Sequence, residues 1–92
     1  MLYKDMCGRT RFYVKGRKEN LTNFTVELTW YHSAIASIGS VNGLGDDIFV
    51  LNLVVDDTCK EEYAETRLHK MCEQYNVYGF ATWKEYDEEV PV

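Results

Sequence analysis

A chain of 92 residues has room for one domain built on a single two-layer core. With 46% apolar and 14% aromatic residues it is too hydrophobic to remain disordered, yet it has no apolar run of about 18 residues that could span a membrane. The net charge of −5 is uneven: residues 1–19 carry six basic and two acidic side chains, residues 20–92 four basic and thirteen acidic. That polarity points to binding surfaces and argues against nucleic acid as the sole ligand.

Residues 1–8 lack the apolar block of a signal peptide and read as a loose lead-in ending at Gly8. The cysteines are Cys7, Cys59 and Cys72, an odd number without framework spacing. Reduced thiols and a cytoplasmic setting are the expectation, the host cytoplasm if the chain is viral. Arg9 to Lys15 reads as a strand, with Thr10, Phe12 and Val14 facing a core and Arg9, Arg11, Tyr13 and Lys15 facing out. Gly16 to Leu21 reads as a polar hairpin turn.

From Asn23 to Ile38 the even positions Phe24, Val26, Leu28, Trp30, His32, Ala34, Ala36 and Ile38 are apolar except His32. The odd positions, Tyr31 and Ile35 among them, are mostly polar. Two-residue alternation predicts a long central strand with its even side in the core. Unbroken, it would extend roughly 50 Å, so a bend near Tyr31-His32-Ser33 is expected. Gly39 to Asp47, with three glycines, reads as a long hairpin tip, and Ile48 to Val55 as a strand buried on both faces.

Thr58 and Glu61 have capping-box spacing ahead of a helix from Cys59 to about Tyr75. Its apolar stripe is Ala64, Leu68, Met71, Cys72 and Tyr75, and Asn76 suits a left-handed cap. Val77 to about Tyr86 reads as a last strand, parallel to the third and beside either the third or the first, and residues 87–92 as a loose acidic end. The whole reads as one compact α+β domain over 1–92, a four-stranded mostly antiparallel sheet in the order β-β-β-α-β with one helix packed on one face.

Candidate chemistry is sparse. The glycine loop precedes a strand and carries Asp46 and Asp47, which would repel phosphate. His69 and Cys72 share a helix face, but no second ligand pair is visible, and a buried Cys72 with an exposed His69 paired to Glu65 is the expectation. Cys59 sits at a helix start crowded with acids that oppose a thiolate, and His32 has no fixed orienter. No catalytic residue, metal or cofactor is therefore assigned. Two features point to binding. The outward row Arg9, Arg11, Tyr13 and Lys15, continued by Arg17 and Lys18, could hold a nucleic-acid backbone. Tyrosines such as Tyr31, with the acidic helix face Glu61, Glu62 and Glu65, have the composition of protein-binding hot spots.

The leading expectation is thus a non-catalytic protein-binding module, monomeric or homodimeric. One setting with these traits is a small phage- or virus-encoded inhibitor, anti-CRISPR-like in kind, that blocks a larger nucleic-acid-handling host complex by occupying its surface. No residue motif carries that setting. Direct binding of single-stranded nucleic acid by the basic first strand is the alternative, and a small Cys/His enzyme ranks last.

Overall fold

The computed structural model describes residues 2–80. Its elements are β1 (Tyr3–Lys4), β2 (Thr10–Arg17), α1 (Lys18–Tyr31), β3 (Ala36–Gly45), β4 (Ile48–Val55), α2 (Glu61–Gln74) and β5 (Tyr78–Phe80). The fold is α+β, with four principal strands in an antiparallel sheet and, among the described residues, two helices rather than the expected one.

β2 and β4 lie at the centre. β3 flanks β4, and β5 flanks β2, with the short β1 pairing to the same strand. Every ladder is antiparallel, so β4 and β5 run in the same direction with β2 between them. The last strand therefore takes the position beside the first long strand. β2-α1-β3 followed by β4-α2-β5 is the split β-α-β arrangement of ferredoxin-like domains.

Register assigns the two faces of the sheet. Phe12 faces Leu53 and Val14 faces Leu51 on the side covered by both helices. There they join Leu21, Phe24 and Leu28 of α1 and Ala64, Leu68, Met71 and Cys72 of α2 in one core. Arg11, Tyr13, Lys15 and Arg17 alternate to the other side, opposite Val54, Asn52, Val50 and Ile48. On that second face Tyr13, Val50 and Phe80 make a small buried cluster of their own.

The largest departure from the sequence expectation is Asn23–Ile38. It is not a strand: a helix ends at Tyr31, and β3 begins at Ala36 after a turn. The alternating set contains a helical subset. Leu21, Phe24 and Leu28, three and four apart, form the buried stripe, while Val26 and Trp30 from the same even set point outward at 49% and 76% exposure. The threonines and aromatics favour a strand only weakly, and burial on the sheet decides. The residues expected in a hairpin turn are instead the end of β2 and the first turn of α1. Ile35, expected on the exposed side, is buried, and its carbonyl accepts the Asp56 N–H at 2.8 Å.

The remaining corrections are local. The lead-in contains β1, and Leu2 is buried with its N–H donated to Glu61 Oε1. Most of the expected glycine-rich tip is strand, leaving Asp46-Asp47 as a two-residue turn with φ of 51° and 65°. The Thr58–Glu61 box does not form, because Lys60 is the N-cap and the Thr58 hydroxyl donates to Asp56 Oδ1 at 2.5 Å. The α2 stripe and the left-handed Asn76, φ 56°, stand as expected. Of the expected last strand, Tyr78–Phe80 is β5, while residues 81–86 and the acidic end at 87–92 lie outside the described residues.

Candidate functional site

β2 places the basic row as its alternation requires, but its members differ in character. Arg11 is held: its Nε donates to Asp5 Oδ2 at 2.8 Å, and its Nη1 reaches Asn52 Oδ1 at 3.4 Å. Asp5 is set for this by the turn before β2, where its Oδ1 accepts the N–H groups of Arg9 and Cys7, each at 2.9 Å. The Arg9 N–H first, then the Arg11 guanidinium, holds the Asp5 carboxyl below its ordinary range. Tyr13 is on the row's face but buried among Val50 and Phe80. Arg9 lies just ahead of β2, over a depression it shares with Asp56 and Asp57. Arg9, Arg17 and Lys18 are the exposed cations of the row, the last two at the β2–α1 junction, and Lys15 is half-buried. Lys15 stands directly across from Tyr78 of β5, which is 67% exposed. A cation and an aromatic ring thus stand opposite each other on the face of the sheet away from the two described helices.

The acidic residues lie on the helix layer. Glu61, Glu62 and Glu65 occupy the first two turns of α2 and, with Lys60, line a depression of about 460 Å³. Acids at this end suit the helix dipole. Glu61 also holds the Leu2 N–H, so part of this cluster serves the fold. The basic row and the acidic turn lie on opposite faces, and the structure does not join them into one site.

Tyr31 is 75% exposed at the end of α1, beside Trp30 at 76%. Trp30 was expected in the core, so sequence reasoning missed it as a surface residue. The signal that finds it is the three-then-four spacing of Leu21, Phe24 and Leu28, which turns Trp30 outward.

The groups weighed for chemistry are separated. His32 is the C-cap residue of α1, its Nε2 3.8 Å from Glu27 Oε2. Cys72 is buried beneath α2, and burial first, with the nearby Glu73 charge, pushes its thiol up to about 12. His69 is half-buried, and its ring meets Phe12 edge-on with centroids 5.1 Å apart. Among the described residues no group of three His, Cys, Asp or Glu side chains could hold a metal ion. None of the described helices is long and apolar enough to cross a membrane. Comparison with known proteins finds no matching family model, no matching curated protein and no matching solved structure.

Proposed function

We propose that this chain is a non-catalytic module that binds another protein through its surface. The observation that carries the reading is the consecutive pair Trp30-Tyr31, each three-quarters exposed at the end of α1. Large aromatics are the commonest anchors of protein interfaces, because they bury much area while fixing few torsions. The separation of charge supports it. Lys15 and Arg17 on the sheet face and Glu61, Glu62 and Glu65 on α2 would orient an approaching partner. A charged partner such as a nucleic-acid-handling complex fits this polarity, and a small inhibitor of such a complex, anti-CRISPR-like in kind and phage- or virus-encoded, is the setting we favour.

The test is affinity capture from host lysate with wild type and a Trp30→Ala/Tyr31→Ala double variant, identified by mass spectrometry. A partner retained by wild type and lost by a double variant of unchanged melting temperature is the expected result. Equal capture by both would remove the anchor role.

The Lys15–Tyr78 pair favours a second reading, single-stranded nucleic acid laid across the sheet face. Binding to an oligonucleotide would then weaken with salt, with a log–log slope of about −0.7 per phosphate neutralised, and fall when Lys15 and Arg17 become Ala. Absence of binding at low salt would end this reading.

A further inference from the structure

Among the described residues β3 is the open edge of the sheet. It runs ten residues, Ala36–Gly45, pairs with β4 on one side, and is exposed from Ser37 onward. Edge strands of soluble proteins are normally blunted by lysine, proline or an inward charge. The sequence Ala-Ser-Ile-Gly-Ser-Val-Asn-Gly-Leu-Gly has none of these three, in a chain that is 27% charged, and register irregularities at Ile38/Ser40 and Gly43/Gly45 are the one edge device it carries.

The strand is also apolar where it is open. Ile38, Val41 and Leu44 are 36%, 55% and 47% exposed. Residues three apart would ordinarily alternate faces, but a bulge between Ile38 and Ser40 resets the register, so Ile38 faces Leu53 and Val41 faces Leu51, both on the helix side. At the bulge Gly39 packs closely, and a Cβ there would lie 2.9 Å from Arg11 Nη1 and 3.1 Å from the Asn52 carbonyl oxygen. α1 does not reach over this strip. A groove of about 310 Å³ remains between helix and edge, with Leu21, Val26, Val41, Phe49 and Leu51 among its walls.

We infer that a second copy of this chain covers this edge, its β3 pairing antiparallel with the first about a two-fold axis near Val41, so that the two sheets become one. A two-fold axis sets each residue against the one equidistant from Val41 on the other chain. Val41 then meets its own counterpart, and Ile38 meets Leu44. A self-pairing surface must be complementary to itself, so any charge near the axis would confront its own sign. An edge without charge over ten residues meets that condition, whereas a foreign partner imposes no such condition.

Sedimentation equilibrium of the full chain tests this independently of any partner. The expected result is a mass rising with concentration from 10.8 kDa to twice that and no further. Val41→Lys sets two like charges face to face and should weaken dimerisation at least about tenfold. Lys70→Glu, exposed on α2, should leave it unchanged. Val41 is open enough to accept lysine, and an unchanged melting curve at monomeric concentration would show the fold intact. Should that variant fail to fold, Leu44→Lys is read in its place. A monomer up to sub-millimolar concentration, growth beyond a dimer, or a dimer indifferent to the lysine would overturn the inference.

Discussion

The phenol of Tyr75, just past the end of α2, donates a 2.9 Å hydrogen bond to Glu27 Oε1 on α1. The two residues are 48 apart in sequence, and the bond ties the two helices together above the sheet. Glu27 also faces His32 through its other oxygen, so one carboxylate braces both the C-terminal end of its own helix and the neighbouring one.

This bond predicts a pH dependence. Accepting from the phenol, Glu27 raises the Tyr75 pKa, chiefly through the hydrogen bond itself and then through burial. A pKa raised above the unfolded value of about 10 gives stability that is complete below that pH and is lost as pH climbs through the folded value. Thermal melts of wild type should decline on the alkaline side. Tyr75→Phe should melt a few degrees lower at neutral pH and decline less steeply above about pH 10. Parallel curves for the two proteins would assign the alkaline loss elsewhere.

Cys72 is expected to be inert in the folded protein. Its thiol is buried and pushed up to about 12, while Cys7 is exposed. An alkylating reagent at pH near 8 should label Cys7 within minutes and Cys72 only after denaturant is added, as peptide mass spectrometry would show. The same pocket is sterically full. A Cβ on Gly79 would lie 2.7 Å from Phe12 Cζ and 2.9 Å from Cys72 Sγ. Gly79→Ala should therefore destabilise by about 1–3 kcal/mol in urea unfolding.

The β3–β4 hairpin turns on two residues with positive φ, Asp46 at 51° and Asp47 at 65°. This is the backbone of the tight hairpin turn that asparagine and glycine fill best. Neither aspartate side chain is buried, and the Asp47 carbonyl accepts the Lys18 N–H at 3.0 Å through main chain alone. Asp47→Gly removes the left-handed strain at the cost of some backbone entropy, for a net gain of about 0.5–1 kcal/mol. A fall in the urea midpoint would show that the side chain contributes a contact of its own.

How far the sequence reaches depends on how many periods each stretch satisfies. Ile48–Val55 is apolar but for Asn52 and too short for a long helix, and it is the strand predicted, to the residue. Ala64, Leu68, Met71 and Cys72 fit a helix and nothing else, so α2 was legible apart from its cap. In β2 the alternation sorted core from surface, which placed Lys15 and Arg17 correctly on the face away from α1 and α2. It could not foresee that Tyr13, on that same face, is buried against Val50 and Phe80, residues distant in sequence. Asn23–Tyr31 satisfies both periods at once. The residue that separates them, Leu21, lies one turn earlier among polar neighbours that read as a turn. That single ambiguity hid a helix, moved the third strand and sent Trp30 to the wrong side.

The ambiguity has its own experiment. On a strand with its even side buried, Phe24, Val26, Leu28 and Trp30 would be equivalent core positions. On α1, Phe24 and Leu28 are 0% and 1% exposed, whereas Val26 and Trp30 lie outside. Phe24→Ala should cost about 3–5 kcal/mol and Leu28→Ala about 2–5, since each leaves a cavity that packed neighbours cannot fill. Val26→Ala and Trp30→Ala, measured at dilute protein so that association does not contribute, should stay within about 0.5 kcal/mol of wild type. The contrast between residues two apart is what a helix requires. Comparable losses at all four positions would mean that the segment packs by alternation, and Trp30 would then be no surface anchor.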